Sequence, residues 1–576
     1  VQKVSKVQFD GERKARAPAI ATAIVPENPG LGCRRQAIPP VAAPNDNSLA
    51  TDKTKSRGTT VLNDFKMDRR SLLKGAAGVA LLAAAGKPAF AATPNKGGHF
   101  RVGIGDFATT DTLNPPLAAT KFQNNALLQL GNCLVEVAPD GKLIPELATS
   151  WESSPDAKIW TFKIRSGVEF HNGKTLTAED IVYSVKLHLT EKSPSGAKPM
   201  LSSVESVTVS APLEVTFTLK DGNVTLPAVL SMPTLAIVPD GQTDFSKGIG
   251  TGPYVLEKLE PGIRLVAKRN EKYWKTGRGH FDTIEMVCIK DAAARASALQ
   301  SGQVDAFNLV DVKTAKLLER SPMVSLISVP SRAHYVFPML MDSAEFKDKN
   351  VRDAMKYAIN REEMVSRILN GYGSVGNDQP LSAAYQYYNP GIEQRAYDPD
   401  RAKSLLKKAG HDSLAVQLFV SETPFAGATD SAVLYKEHAS QAGIDIDVVK
   451  VPEDGYWDNV WAKKPLCAAR WSGRVTEDIA ISGIYTTEAM KAGWNETHMT
   501  VPHVDQLVAL ARKELDETKR KQMYFDLQQI IHDDGGANVF AFANIVDATS
   551  KKIAHDAVGT DWDLDGARAA ERWWFA

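Results

Sequence analysis

Neither sign of charge prevails in this chain. Lys and Arg number 68, Asp and Glu number 68, and the net charge is zero with histidine neutral. No basic face for nucleic acid or for an anionic membrane surface is therefore indicated. Cysteine is scarce, with 4 in 576 residues. Cys133, Cys288 and Cys467 lie far apart and in no C-x-x-C spacing, which argues against a disulfide framework and leaves a single bridge open. Apolar runs of membrane-spanning length are missing too. The run from Gly75 to Gly86 holds about 12 residues, against roughly 20 for a spanning helix. Also missing are a Walker A run, a G-x-S-x-G elbow and an H-E-x-x-H pair. An enzyme of this size is expected to show a legible nucleophile or metal constellation, so this absence counts against catalysis and against a bound metal or cofactor.

What is present begins with that short apolar run. Arg69, Arg70 and Lys74 precede it, Lys87 and Pro88 break it, and Ala89-Phe90-Ala91 follows with small residues two apart. A charged flank, a short apolar stretch and an A-x-A site make a secretory signal peptide. Arg69-Arg70 ahead of Ser71-Leu72-Leu73-Lys74 is similar to a twin-arginine export signal. The competing reading, a buried Ala-rich helix, is disfavoured by glycine at 75, 78 and 86, each costing a helix about 1 kcal/mol relative to Ala. Residues 1–66 have no apolar period, and Met67 stands directly before Asp68. Met67 is the expected initiator, 1–66 a mis-assigned or disordered leader, and 67–92 the signal peptide. Cleavage at the A-x-A site leaves about 485 residues, too many for one core, so two or three domains are expected.

The mature stretch mixes strands with helices. Trp160, Phe162 and Ile164 alternate with polar residues at strand period, and Val168 and Phe170 continue the pattern. Asn172-Gly173 is a hairpin turn, since both residue types tolerate positive φ. Thr177 caps a helix with Asp180 at its third position, burying Ile181, Val182, Val185 and Leu189. Asn350 and Asn360 are expected caps of two short helices in series. Asp398 with Pro399 opens a third helix, which Gly410 ends. Ile444 to Val451 reads as a strand, and two amphipathic helices broken near Asp516 close the pattern. The fold class is α/β or α+β, in several domains.

Several sequence features point weakly to chemistry. Gly371–Gly376 matches G-x-G-x-x-G, but follows a helix and opens none, so a nucleotide site is disfavoured. His498 and His503 straddle Pro502 and make a poor metal pair. His171, at a hairpin tip, reads as structural.

The stretches LIPELATSWESSPDAKIWTFKIRSGVEFHNGKTLTAEDIVYS, GIGTGPYVLEKLEPG with RNEKYW, VRDAMKYAINREEMV, YDPDRAKSLLKKAG and the terminal helix pair together resemble the family 5 extracellular solute-binding proteins of ABC transporters, the peptide, nickel and opine group. They run from about residue 98 to 550, and their order and spacing are specific. The resemblance implies a two-lobed periplasmic binding protein fold of type II, in the large three-subdomain variety, with a hinge between lobes. By analogy lobe 1 takes 98–131, 246–340 and the return from 541. An extra subdomain takes 132–245 and lobe 2 takes 341–540. The implied protein is a periplasmic monomer without catalytic residues. It encloses a peptide-like or opine-like solute and delivers it to permease and ATPase subunits; nickel chelates, glycosides and oligopeptides stay open.

The resemblance also nominates site residues. Where dipeptide-binding members carry an Asp after W-x-G for the peptide's amine, this chain has Arg474. A guanidinium fork prefers a carboxylate or phosphate and repels an ammonium. Glu422 falls near the position of a carboxylate-binding Arg, so the polarity of the site is expected to be inverted. The alternative for Arg474 is a surface salt bridge with Glu477 or Asp478. Trp471 could stack on a flat group or simply pack in the core. Asn495 could bind solute or cap a loop. Tyr387, with Tyr385 and Tyr388, could line the cleft or a packed surface. Alternative functions are a secreted hydrolase with an unmarked acid pair, or a chaperone or sensor on the same fold. Replacing Arg69 and Arg70 by Lys is predicted to stop export by the twin-arginine route, because that signal is read as an arginine pair; unchanged export of the variant points to the general secretory route.

Overall fold

The computed structural model describes residues 94–576, so the expected leader and signal segment lie outside the described residues. Three sheets organise the chain. The first has seven strands in the order Val324–Val329, Ile545–Ser550, Ala306–Phe307, His99–Ile104, Thr283–Cys288, Arg264–Arg269 and Tyr254–Glu260. His99–Ile104 pairs in parallel with both its neighbours, while the flanking pairs are antiparallel. The second has four strands, Gly373–Val375, Ala537–Ala543, His334–Pro338 and Ala469–Trp471. Beside it lies the parallel pair Leu414–Val420 and Ile444–Lys450. The third is an antiparallel sheet of Ala148–Ser153, Ile159–Ile164, Glu214–Leu219 and Val204–Ala211, inside the stretch expected as the extra subdomain.

Local chemistry explains these elements. Ile159–Ile164 buries Trp160, Phe162 and Ile164 and turns its polar residues outward, as period two requires. The following turn is a three-residue loop in which Gly173 alone takes the left-handed conformation, φ +82°, and Asn172 does not. Thr177 and Asp180 form a capping box for Ala178–Leu189. Asn360 and Asp398 cap as expected. The cap before Lys349–Tyr357 is Asp348, not Asn350: the Asp348 carboxylate accepts from the Asn350 N–H. The shift follows from the capping residue needing to precede the N–H groups that it satisfies. The glycine-rich Gly371–Gly376 segment contributes an edge strand, and a Cβ at Gly376 would lie 2.1 Å from the Val539 carbonyl oxygen. The glycine there permits close strand approach, a role that needs no ligand.

The chain passes between the first and second sheets twice. It leaves the first after Val329 and enters the second at His334; it leaves the second at Ala543 and re-enters the first at Ile545. The first crossing lies ahead of the boundary at residue 341 expected from resemblance, because His334–Pro338 pairs within the second sheet. The crossings are joined side by side. The Ser331 hydroxyl donates to the Ala543 carbonyl at 2.6 Å, the Ala543 N–H donates to the Ala333 carbonyl at 3.2 Å, and the Asn544 amide donates to the Ser328 hydroxyl at 2.9 Å.

One buried ionic network ties the third sheet's subdomain to the first sheet and to the C-terminal segment. The Lys275 ammonium touches Glu136, Glu146 and Glu571 at 2.5, 2.6 and 3.0 Å. The Arg568 guanidinium holds both oxygens of Glu146, at 2.9 and 3.0 Å, and one of Glu571 at 2.8 Å. Arg572 adds Glu136 and Asp565, each at 2.9 Å. Burial opposes the charge on Glu571, but Lys275 and Arg568 outweigh it and hold the carboxyl well below the usual range. Asn132, Tyr273 and the Cys133 N–H supply further donors to these carboxylates. Removing one partner strands a buried charge, so Arg568→Met should destabilise the protein by about 3–5 kcal/mol. Urea unfolding of the variant measures this, and a loss below about 1 kcal/mol would sink the claim that the network holds the subdomain in place.

Candidate functional site

Arg474 lies where the two lobes meet. It follows the edge strand Ala469–Trp471 of the second sheet and precedes the helix Glu477–Tyr485, capped by Thr476. Val475 and Ile479, its neighbours in sequence, pack against the core of the third-sheet subdomain. Near them the Val224 N–H donates across to the Arg512 carbonyl at 2.9 Å. From the first crossing, Arg332 donates to the Val475 carbonyl at 3.1 Å and stacks on the Tyr385 ring at 5.2 Å. The Tyr385 hydroxyl in turn accepts from the Arg474 N–H at 3.0 Å. The segment carrying Arg474 is thus fixed to the hinge by its backbone.

Its side chain is differently placed. The guanidinium sits over the Trp471 ring, 5.3 Å from the centroid, and pairs with no carboxylate among the described residues. The salt-bridge alternative for Arg474 is not formed, because both candidate acids are engaged elsewhere. Asp478 pairs with Arg512 at 2.8 Å, and Glu477 accepts from the Tyr387 N–H at 2.9 Å. Burial lowers the Arg474 pKa from its ordinary value, so its charge is partly desolvated without a compensating partner. Beside it, His334 is buried with neither ring nitrogen bonded, and burial followed by the Arg474 charge pushes it down to about 3. His334 is therefore neutral, and Arg474 carries the positive charge here.

The other nominated residues fall into three settings. Trp471 is buried, at 5% exposure, yet adjoins the half-buried indole of Trp461 at 5.8 Å and the open indole of Trp494 at 6.1 Å. Tyr387 is packed: its ring stacks on Tyr524 at 5.5 Å, and its hydroxyl accepts from Arg520 at 2.8 Å. Asn495 is given structural work. Its amide donates to the Met499 carbonyl at 2.7 Å and accepts from Thr497 and Met499, which leaves it little to offer a solute. Glu422 caps a helix start, accepting from the Gly427 and Thr429 N–H groups at 2.6 and 3.1 Å. Each of its carboxylate oxygens thus already accepts from a backbone donor, in the manner of a helix cap.

Sequence reading missed Glu496. This carboxyl is fully buried and accepts from the Trp461 indole N–H at 2.7 Å, while its other oxygen has no partner. The buried Trp471 N–H lies near enough to favour the ionised form without completing a hydrogen bond. Burial dominates and pushes the carboxyl up to about 7. The signal was in the sequence only as a lone acid in GWNETH, which nothing marks as buried.

The geometry can be set beside known proteins. Residues 142–491, more than half of the chain, match the family described as bacterial extracellular solute-binding proteins, family 5 Middle. This chain belongs to family 5. The glutathione-binding protein of Pectobacterium atrosepticum is 27% identical over 435 residues, covering 72% of this chain and 83% of that one. Among solved structures, HbpA2 from Haemophilus parasuis matches with a TM-score of 0.73 at 21% identity, over 81% of this chain and 99% of that one. AgaA from A. tumefaciens R10, in complex with agropinic acid, matches with a TM-score of 0.66 at 22% identity, over 83% and 99%. The fold is the type II periplasmic binding protein fold of family 5, and the family consists of solute-binding proteins. No described helix is long and apolar enough to cross a membrane.

Glu496 yields a pH prediction. Its folded value, about 7, lies above the ordinary 4.5, so the native state holds a proton that the unfolded chain releases. Its contribution is fully present below pH 4.5 and is lost as the pH rises through 7. Glu496→Gln should match the parent near pH 4 and exceed it at pH 8, by up to about 3 kcal/mol. Urea unfolding at the two pH values checks this, and an equal difference at both removes Glu496 as the cause.

Proposed function

We propose that this protein is the periplasmic solute receptor of an ABC importer, and that Arg474 receives an anionic group on a peptide-like or opine-like solute enclosed between the lobes. The observation that carries the reading is the guanidinium of Arg474: partly desolvated, fixed to the hinge through its backbone, and free of any carboxylate among the described residues. A partly desolvated cation without a counter-ion is disfavoured, and an anionic ligand offsets that cost. Family membership supports the receptor role, with permease and ATPase subunits as partners of a monomeric, non-catalytic protein. The relative named for glutathione, an anionic tripeptide, supports the solute class.

Native mass spectrometry of protein purified from its own periplasm identifies the retained solute. Arg474→Ala should then weaken its binding about ten- to a hundredfold, as expected for a charge-assisted bond of about 1.5–3 kcal/mol. Arg474→Lys should restore only part, because an ammonium cannot form the fork. Unchanged affinity of the Ala variant by calorimetry removes Arg474 from the site.

A further inference from the structure

Four tryptophans gather beside Arg474. Trp461 contacts Trp471, Trp494 and Trp457 at ring-centroid distances of 5.8, 5.7 and 5.9 Å, mostly edge to face. Trp471 and Trp494 are 6.1 Å apart. The inner members are locked: Trp471 is in the ladder of the second sheet, opposite His334, and Trp461 is bonded to buried Glu496. The outer members are open, Trp494 at 51% and Trp457 at 43% exposure. Trp494 is held by its backbone, where its N–H donates to the Ala489 carbonyl at 2.9 Å after the left-handed Gly493, φ +76°. A large, rigid aromatic surface is therefore left in water, joined through Trp471 to a cation without a counter-ion.

We propose that Trp494, backed by Trp461 and Trp471, is a subsite for a flat aromatic ring on the same solute whose anionic group Arg474 receives. The proposal rests on the anionic-solute reading above and adds the class: an aryl-bearing carboxylate. Three observations favour it. The spacing suits a single small molecule, because Arg474 and Trp494 both lie against the one ring of Trp471, at 5.3 and 6.1 Å. Charge matches, since the cation adjoining the ring surface is unpaired. The two polar side chains that follow Trp494 in sequence are already committed: Glu496 is sealed from solvent, and the Asn495 amide is spent on Thr497 and Met499. A sugar stacks on an indole too, but its hydroxyls need polar partners at the ring edge. A planar apolar ring needs only the face that Trp494 presents.

Three probes share a glycylglycine carboxylate, carry no ammonium, and differ in the N-acyl group: 1-naphthoyl, cyclohexanecarbonyl or gluconoyl. Calorimetry on the mature protein should rank naphthoyl about three- to tenfold tighter than the other two, the gain expected of an aromatic pair beyond area. Trp494→Ala should erase that preference, and Trp494→Phe should keep part of it. Arg474→Ala should weaken all three probes alike. If the parent protein binds the three equally, or the preference survives Trp494→Ala, the aromatic subsite is overturned while the anion site stands. If no probe binds, or binding ignores Arg474→Ala, the anion reading falls and this proposal with it.

Discussion

The ionic network around Glu146 is the constraint on which the rest of the molecule depends. Its members come from three stretches far apart in sequence: Glu136 and Glu146, then Lys275, then Arg568, Glu571 and Arg572. Hydrophobic burial alone does not fix how these stretches meet, because apolar contacts have no direction. Paired charges do, since a misplaced partner leaves a desolvated ion. The network sets the third-sheet subdomain against the first sheet, and through that subdomain sets the surface that Val475 and Ile479 meet. Arg474 takes its position at the lobe boundary from this chain of placements.

The second lobe repeats the device on a smaller scale. Arg361 and Arg395 share Asp378 at 2.6 and 2.8 Å in a fully buried triad. Arg352 reaches the Phe346, Lys347 and Asp534 carbonyls. The carboxylate of Asp378 is paired on both oxygens, and Arg352 is bonded through both terminal nitrogens, although its Nε has no partner. Against that background a guanidinium such as Arg474, with no acceptor, and an acid such as Glu496, with one oxygen idle, stand out as places where local consistency is broken. Such breaks are expected where a protein binds something.

Much of the secondary structure was legible in the sequence, because its causes are local. The Ile159–Ile164 alternation, the Thr177–Asp180 capping box and the Asp398-Pro399 helix start all act within a few residues. The network was not legible: Lys275 and Glu571 are 296 residues apart, and each alone reads as a surface charge. The motif glycines were seen but not explained. In GTGPY, a Cβ at Gly250 would lie 2.2 Å from the Leu130 carbonyl oxygen, so that motif records a tight passage of backbone past a helix end. At the site, Arg474 could be singled out because its charge type departs from a resembling pattern. Asn495 and Glu422 could not be judged, because residue type does not reveal whether a side chain's bonds are already used by its own backbone. The tryptophans were visible singly, and their convergence was not.

Asn544 is the sole residue between the strands Ala537–Ala543 and Ile545–Ser550, which belong to different sheets. One residue spans at most about 3.6 Å, so this joint has no slack. In mechanical terms it is a flexure and not a tether. The first crossing, at Ser331, is bonded alongside it, so the pair resists sliding and stretching and yields to bending. Relative motion of the lobes is then confined to rotation about a short axis through the two crossings. Arg332, at one end of that axis, is bonded to the segment that bears Arg474. A charge so close to the axis moves little as the lobes swing, so the anion proposed to bind there would keep its place through closure.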